Sequence, residues 1–516
     1  MAWIWALFSF VAAVLHFLQK LVIRKNKTKN KDAEHETRSR LPLPGPKALP
    51  IIGHLHLLGK NPHRILRDLA SKHGPIMGLR FGFVPTVVVS SPAAAELFLK
   101  THDLVFASRP RQGAAQHLSY GQRNMVFGQY SPYWRHMRKL CTVELLSAKR
   151  IHQFRASRKE EMDLLVGSLR GAAERREVVD LSTCISNLNT DMVSVMVFGR
   201  KIGGKELDGK SFREVIMETT ACGGKFNLGD YFPYIGRLDL QGINKKLKRL
   251  SGVYDRFLEK MIDDHLLQNH ENRNCKNRED FVDTMVGLLE SGELAASGSF
   301  EFDRRHVKAV LLDMVLAGMD TSAAAVEWAL AELIRAPPVM EKLRKELECA
   351  AAGRAVEESD VERLEFLDMV VKETLRLHPV VPLMVPHESR EDCVVDGFYI
   401  PGKSRVIVNA WAIGRDPGAW GHDPEAFRPE RFAGGSEQVE LGGGRHFHYV
   451  PFGAGRRSCP GIQLGVTVVK FAVAQLVHCF DWELAAADDL DMSEHFGLVT
   501  ARAQHLMAIP RYRLLN

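Results

Sequence analysis

A single cysteine lies in the glycine- and arginine-rich segment PFGAGRRSCPG, residues 451–461. A structural zinc site would need a second cysteine or histidine two to four residues away, and the segment has none. The eight cysteines of the chain are scattered without a CxxC pair. That distribution favours a reducing compartment over a disulfide framework. The role of Cys459 must therefore be inferred from the residues next to it in the sequence.

These neighbours favour the thiolate form of Cys459. A helix that begins after Pro460-Gly461 would direct the positive end of its dipole at the sulfur. Gly453 and Gly455 allow left-handed turns, and Arg457 adds positive charge. A thiolate in this setting suits a metal whose other ligands come from a cofactor, and haem iron is the main case. A reactive nucleophile or a buried thiol would also fit.

The segment AGMDTS, residues 317–322, also has residue types that could serve chemistry. It interrupts a long predicted helix. Ala317 and Gly318 are small enough for a flat ring to lie against the helix, and Thr321, after Asp320, can compete for the helix hydrogen bonds and open a groove. An ordinary helix that contains a glycine and an Asp-Thr pair is the alternative.

Two further segments place polar residues on one face of a helix. YWRHMRKL puts Trp134 and Arg138 four residues apart, and KETLRLHP puts Glu373 and Arg376 three apart. Downstream, FRPERF supplies Arg431. Taken alone, YWRHMRKL and KETLRLHP are more typical of the solvated faces of amphipathic helices.

Taken together, these segments resemble the cytochrome P450 monooxygenases. The residues that match the haem-binding signature of the family, with its spacing, are Phe452, Gly455, Arg457, Cys459 and Gly461. The other segments follow in the order found in the family. With the proline-rich LPLPGP, they are most similar to plant microsomal A-type members, and the resemblance spans essentially the whole chain.

The resemblance implies that Cys459 is the axial ligand of the iron in haem b. It also implies that Trp134, Arg138 and Arg457 contact a haem propionate, with His387 of VPHES as an assisting basic residue. Cationic donors facing a carboxylate would form charge-assisted hydrogen bonds.

On the other side of the haem, the resemblance implies an oxygen-binding segment. Ala317 and Gly318 would lie against the ring, and Thr321 with Asp320 and water would deliver protons during oxygen activation. The resemblance further implies a buried ion network behind the cysteine loop. Its members would be Glu373, Arg376 and Arg431, which we interpret as structural support.

Electrons must reach the haem from another protein, because the chain has no glycine-rich dinucleotide fingerprint. The resemblance implies NADPH–cytochrome P450 reductase in the same membrane. Arg135, Lys139 and Arg456 could attract its acidic surface or could simply be solvated. The segments 380–385 and 310–318 offer mostly apolar side chains, so we expect a hydrophobic substrate such as a terpenoid or a phenylpropanoid or flavonoid.

Two alternatives to a monooxygenase remain. Some proteins of this fold act as isomerases or dehydratases without O₂, and a haem-binding sensor would not turn over a substrate. The pair Asp320-Thr321 favours oxygen activation over both.

The N-terminus predicts a membrane anchor followed by a charged linker. Residues 1–23 are almost entirely apolar, and a membrane-spanning helix needs about 20 such residues. Residues 20–40 contain eight basic and three acidic residues and thus +5 of the net charge of +7. The basic flank would hold the body in the cytosol, which predicts a single-pass protein of the endoplasmic reticulum membrane. A buried core helix is the alternative at the N-terminus.

The rest of the chain predicts one catalytic body. A basic linker and proline-rich hinge at 24–46 lead into a haem-thiolate domain at 47–516, and its nearly neutral charge gives no support to nucleic-acid binding. We predict helices over 305–335, 338–352, 359–378 and 462–479, the last buried nearly all round, and strands at 86–90 and 404–408. The expected fold is mainly α with a small β portion, the cytochrome P450 fold. The apolar stretch 226–243 could be an interface loop near the membrane or an ordinary buried loop.

Overall fold

The computed structural model describes residues 41–202, 207–271, 279–292, 302–434, 441, 446–485 and 490–514. The predicted anchor and basic linker, residues 1–40, lie outside this range. Most described residues are helical, as the sequence predicts.

Helices dominate the described chain. In order they are α1 Pro62–His73, α2 Pro92–Glu96, α3 Gly113–Leu118, α4 Pro132–Leu140, α5 Ala148–Gln153, α6 Arg155–Arg175, α7 Leu181–Phe198, α8 Phe212–Gly223, α9 Ile243–Glu271, α10 Phe281–Ser291, α11 Arg304–Arg335, α12 Pro337–Ala351, α13 Glu358–Val361, α14 Glu365–Leu377, α15 Ala410–Ile413, α16 Pro417–Trp420 and α17 Ile462–Cys479. Short 3₁₀ turns lie at Leu55–Leu57, Leu228–Asp230, Gly236–Leu238, Pro429–Phe432 and Gly455–Arg457, and π turns at Leu97–Thr101 and Cys141–Leu145.

The strands are short and form four small sheets. They are β1 Ile76–Phe81, β2 Val84–Val89, β3 Val179–Asp180, β4 His387–Glu388, β5 Cys393–Val395, β6 Phe398–Ile400, β7 Arg405–Val408, β8 Phe480–Leu484, β9 Glu494–His495, β10 Ala501–Arg502 and β11 Met507–Tyr512. The largest sheet has the order β1-β2-β7-β4, and the others have the orders β3-β11-β8, β9-β10 and β5-β6. Both predicted strands belong to the largest sheet, as β2 and β7, and pair in parallel.

The longest helix, α11, crosses the core without a break. The prediction that AGMDTS interrupts it was wrong, because the helix hydrogen-bonding pattern continues from Arg304 to Arg335. The side chain of Asp303 caps its N-terminus by accepting from the backbone N–H groups of Arg305 and His306. Thr321 fits within the helix because its hydroxyl donates a hydrogen bond to the carbonyl of Ala317 at 2.7 Å.

The helix predicted over 359–378 is in fact two helices, α13 and α14. The carboxylate of Glu346 on α12 accepts hydrogen bonds from the backbone N–H groups of Phe366 and Leu367, at 2.7 and 2.9 Å. These N–H groups belong to the first turn of α14, where no helical carbonyl could satisfy them. A contact from another helix therefore fixes a new helix start, and the local pattern does not show it.

Two long apolar helices, α11 and α17, have the length and composition of membrane spans but lie mostly inside the protein. The prediction that α17 is buried nearly all round holds from Val468 to Cys479. It was wrong for the first turns, from Ile462 to Thr467. There Gln463 is exposed and the other residues are half-buried. This end of α17 follows Cys459 directly.

The ion network is present as expected. The guanidinium of Arg376 binds both carboxylate oxygens of Glu373, at 2.6 and 2.8 Å, and both side chains are fully buried. Arg431 contacts the same carboxylate at 3.3 Å, and the backbone N–H of Arg428 donates to it at 2.7 Å. The network joins α14 to the segment that leads into the cysteine loop.

Candidate active site

The cysteine loop folds tightly because two of its glycines adopt positive φ. Gly453 has φ +70° and Gly455 has φ +67°. A Cβ on Gly455 would lie 2.2 Å from the carbonyl oxygen of Leu99, so a side chain does not fit there. The loop closes on itself where the backbone N–H of Cys459 donates to the carbonyl of Phe452 at 2.9 Å.

The sulfur of Cys459 lies deep in the protein, yet its side chain is exposed, so it faces a cleft. Burial raises the pKa of this thiol, while the backbone N–H of Gly461 and the charge of Arg138 lower it. The N–H of Gly461 matches the expected helix start, whereas the lowering charge is that of Arg138 and not the expected Arg457. Burial outweighs both effects, so the surroundings of the sulfur do not by themselves favour the thiolate. A bound metal would add a larger charge and deprotonate the thiol.

Helix α11 has an exposed position at Ala317. Ala317 is exposed although it lies in the middle of the most buried helix, and its carbonyl is the acceptor for Thr321. Helices α11 and α17 lie close together here, because a Cβ on Gly465, in the second turn of α17, would lie 3.9 Å from the hydroxyl of Ser322.

Gly318 has a different setting from Ala317. A Cβ on Gly318 would lie 3.3 Å from a methyl group of Val193 on α7. Its small size therefore allows α7 to approach α11 closely, and Ala317 is the small residue exposed at the cleft.

Asp320 faces α8. Burial raises the pKa of its carboxyl group, and the nearby hydroxyl of Thr220 and the charge of Arg213 partly offset this. The structure thus places Asp320 and Thr321 side by side, with Asp320 connected toward α8 and Thr321 turned back onto its own helix.

Arg457 is buried and stacks on an aromatic ring. Its guanidinium carbon lies 3.8 Å from the ring centroid of Trp134 on α4, and it donates to the carbonyls of Ala107 and Gly128 at 2.6 Å each. The indole N–H of Trp134 donates to the carbonyl of Met125 at 2.9 Å. Helix α4 therefore packs against the cysteine loop through Trp134 and Arg457.

Two more arginines adjoin Arg457. Arg138 donates to the carbonyl of Ser458 at 2.7 Å. Arg109, which the sequence analysis missed, is buried and donates to the carbonyls of Val385 and Pro386 at 2.5 and 2.9 Å. It lies in a loop without a helical or metal-binding pattern, so the sequence offers no signal for it.

Burial and mutual repulsion lower the pKa values of these arginines. The pKa of Arg457 falls to about 8, chiefly through burial and then through the charges of Arg109 and Arg138. The pKa of Arg109 falls to about 9 for the same two kinds of reason. The negative charge of Asp103 acts in the opposite direction and raises the pKa of Arg457. Asp103 itself forms an ion pair with Arg456, at 3.1 Å.

His387 lies beside these arginines in its neutral form. Burial, and then the charge of Arg109, lowers its pKa well below the ordinary value. Its Nδ1 lies 2.9 Å from the carbonyl oxygen of Phe106, which can only accept, so Nδ1 carries the proton and Nε2 is an acceptor. His387 could donate through Nε2 to an anionic ligand only after gaining a second proton.

The donor set fits haem. The buried arginines are hydrogen-bonded largely by neutral carbonyl groups, so the cluster keeps a positive charge that an anionic ligand would offset. Haem offers carboxylates for Arg109, Arg138 and Arg457 and a metal for Cys459. A mainly helical protein with this arrangement belongs to the haem-thiolate class of oxidoreductases.

Comparison with known proteins gives the family. The chain belongs to the cytochrome P450 family, whose model matches residues 43–508. This confirms the expected fold and the oxidoreductase, monooxygenase class.

Its relatives are plant proteins that match over nearly their full length. The chain is 47% identical to cytochrome P450 CYP736A12 of Panax ginseng, over 91% of this chain and 93% of the relative. It is 40% identical to the flavonoid 3'-monooxygenase of Arabidopsis thaliana, over 98% and 96%. It is 42% identical to the dimethylnonatriene synthase of Zea mays, over 93% and 92%.

Proposed function

We propose that the protein is a membrane-bound monooxygenase that hydroxylates a hydrophobic small molecule with O₂ and electrons passed from NADPH by a reductase. The observation that carries the proposal is that the helix after Cys459 packs against the part of α11 next to Thr321, where a Cβ on Gly465 would lie 3.9 Å from the hydroxyl of Ser322. A thiolate that would bind the iron and a hydroxyl that would deliver protons are groups suited to oxygen activation.

Two groups of residues would hold the cofactor. Cys459 would bind the iron, and Arg109, Arg138 and Arg457 would bind the carboxylates, with His387 beside them. When bound, the haem supplies the redox chemistry of O₂ activation. The stack of Arg457 on Trp134 and its two 2.6 Å hydrogen bonds hold the guanidinium in place for this task.

Asp320 and Thr321 handle the protons. The raised pKa of Asp320 makes its carboxyl group easier to protonate near neutral pH than an exposed aspartate. Its neighbour Thr220 belongs to α8. Thr321 donates to Ala317 at rest, and its hydroxyl can accept a proton from one side while donating on the other. This pair favours the monooxygenase over an isomerase, dehydratase or sensor.

The substrate is a hydrophobic plant specialised metabolite, such as a terpenoid or a phenylpropanoid or flavonoid. The carbonyl of Val380 accepts from the backbone N–H of Thr500 at 2.9 Å, which ties the C-terminal turn, residues 497–500, to the apolar segment 380–385. Relatives at 40% and 42% identity carry names that refer to a flavonoid and to dimethylnonatriene. Overall identity therefore does not select between the two substrate classes.

The reductase would dock beside the cysteine loop. Arg135 and Lys139 on α4 are exposed, and Arg456 is half-exposed in its ion pair with Asp103. Arg390 joins them, because its guanidinium carbon and that of Arg135 lie 5.2 and 5.8 Å from the ring centroid of Tyr130. These cations would attract an acidic partner surface.

The body would contact the membrane through an apolar patch. Within 226–243, Tyr234, Leu238 and Leu240 are 60%, 66% and 68% exposed, and Leu49 and Ile52 are exposed as well. A cavity of about 430 Å³ beside them is lined almost entirely by apolar side chains. The patch fits a body held at the cytosolic face of the endoplasmic reticulum by a single N-terminal span.

The decisive experiment compares wild type with Cys459→Ser in membranes. We expect the reduced wild type to give the red-shifted carbon monoxide band of thiolate ligation and the variant to lack it. Product formation from candidate terpenoids and flavonoids should then require both NADPH and reductase. A variant that keeps the band would exclude Cys459 as ligand, and turnover without reductase would favour the O₂-independent alternative.

A further inference from the structure

Three consecutive carbonyl groups of α11 accept hydrogen bonds from side chains. Thr321 donates to Ala317 at 2.7 Å, and the amide of Asn189 on α7 donates to both Gly318, at 2.8 Å, and Met319. Asn189 is 3% exposed. The turn of α11 that carries the predicted proton-delivery pair is thus held by side-chain donors from its own helix and from a neighbouring one.

The second hold comes from packing. Val193 lies one turn after Asn189 on α7, and its methyl groups are the nearest neighbours of Gly318. Helix α7 therefore touches the same turn of α11 twice, with an amide and with a methyl group. Together the two contacts restrict both the rotation of the turn and its distance from α7.

A helical carbonyl has two lone pairs, so it can accept from a side chain in addition to its helix partner. Such additional bonds locally alter the direction of the carbonyl and the path of the helix. The amide of Asn189 acts on the carbonyls of Gly318 and Met319, which directly precede Asp320 and Thr321 in the chain. The orientation of the turn thus depends on a residue 129 positions away from Gly318.

We propose that Asn189 is a positioning residue that sets the orientation of Thr321 at the cleft. The inference rests on the proposed function, because it assigns a role to Asn189 only where Thr321 serves the haem. Without the two amide bonds, the turn keeps its own helical hydrogen bonds and the bond from Thr321 to Ala317, but only packing fixes it relative to α7. Thr321 then exchanges between orientations. Its hydroxyl would therefore form a hydrogen bond to a haem ligand for a smaller fraction of the time.

The test uses the full-length protein in membranes and cyanide as a probe of the ferric haem. Asn189→Leu keeps the approximate volume but removes both donors. Asn187→Leu is the matched control, because Asn187 lies on the same helix and is exposed. We expect Asn189→Leu to change the dissociation constant of cyanide by about tenfold, the effect of one to two hydrogen bonds, and the control to leave it unchanged.

A double-mutant cycle separates positioning from general destabilisation. If Asn189 acts through Thr321, the cyanide affinity of Asn189→Leu/Thr321→Ala equals that of Thr321→Ala alone. Additive effects, or an Asn189→Leu variant that binds cyanide like wild type, would overturn the proposal. Hydrogen peroxide released per NADPH consumed, in the presence of reductase, should rise in Asn189→Leu and stay unchanged in the control.

If Asn189→Leu fails to retain haem, Asn189→Gln takes its place in the same cycle, since it keeps the donors but displaces them by one methylene. A wild type without the red-shifted carbon monoxide band would refute the proposed function itself. A wild type with the band, together with an Asn189 variant that behaves like the Asn187 control, would refute only the positioning role.

Discussion

The carboxylate of Asp313 on α11 accepts a hydrogen bond from the backbone N–H of Met125 at 2.7 Å. It also accepts from the backbone N–H of Val126 at 3.1 Å and from the side chain of Asn124. The carbonyl of Met125 in turn accepts from Trp134. The loop before α4 is therefore fixed from both sides, by α11 and by the cation-rich edge of the cleft.

The pKa of Asp313 predicts a pH dependence of stability. Burial outweighs the three donors and raises this pKa from 3.8 to about 7. The folded state therefore binds the proton more tightly than the unfolded state does. The stability contributed by this proton is lost as pH rises from the unfolded pKa of 3.8 to the folded pKa of about 7. The slope approaches about 1.4 kcal/mol per pH unit between the two pKa values and disappears above about pH 7.

Urea denaturation of wild type and Asp313→Asn at pH 5, 6, 7 and 8 would measure this slope. Asparagine does not titrate, so the difference in free energy of unfolding between the two proteins should change over this range. Tyr133 and Cys141, which also interact with Asp313, stay neutral there because burial raises their own pKa values. A difference that is constant with pH would contradict the prediction.

Glu373→Gln should destabilise the protein strongly. The carboxylate compensates the buried charge of Arg376 and accepts from Arg431 and from the backbone of Arg428. Removing one partner of a buried pair costs about 3–5 kcal/mol, because the other charge is left uncompensated. Glu365→Gln, an exposed residue of the same helix, is the matched control.

The measurement for Glu373→Gln is the midpoint temperature at which the red-shifted carbon monoxide band is lost. The control should remain close to wild type. Equal midpoints for the two variants would show that the network contributes little to the stability of the cysteine loop.

Local patterns predicted the elements that depend on local sequence. The spacing of Val466, Val469, Val473 and Leu476 predicted α17, and the β-branched runs predicted β2 and β7. The parallel pairing of these two strands joins Thr86 to Arg405, more than 300 positions apart, and no local pattern encodes it. The signature around Cys459 was recognisable because the residues that support the sulfur are its sequence neighbours.

The residues that sequence analysis missed act across long separations. Glu346 accepts from the N–H groups at the start of α14 from another helix, so the predicted helix over 359–378 is divided in two. Arg109, Asn189 and Asp313 each hold a segment of the site from a distant part of the chain. Their importance follows from burial and partners, and neither property is visible in residue type or spacing.

Gly224→Ala should destabilise the contact between α8 and the C-terminal turn. A Cβ at this position would lie 2.6 Å from the backbone nitrogen of Leu498 and 3.0 Å from the carbonyl carbon of Gly497. Backbone atoms cannot move aside as a flexible side chain can, so we expect a cost of about 1–3 kcal/mol.

The adjacent Gly223 provides the matched control for Gly224, since a Cβ there has open space around it. Gly223→Ala should be neutral or slightly stabilising, because alanine favours the last turn of the helix. The measurement is the midpoint temperature of thermal unfolding of the two variants. Equal midpoints would show that the close approach of α8 to the turn contributes nothing to stability.

Arg457→Lys should weaken haem retention although it preserves the charge. Arginine stacks its planar guanidinium on Trp134 and donates to Ala107 and Gly128 at the same time, whereas lysine has a single ammonium group and no planar face. We expect the variant to lose about 2–4 kcal/mol of stability, because buried carbonyl groups lose their donors.

Arg456→Lys is the matched control, since Arg456 is half-exposed and forms only a surface pair, worth about 0–1 kcal/mol. The ratio of haem to protein after purification measures the effect, and equal ratios for the two variants would show that charge, and not the shape of the guanidinium, is what position 457 contributes.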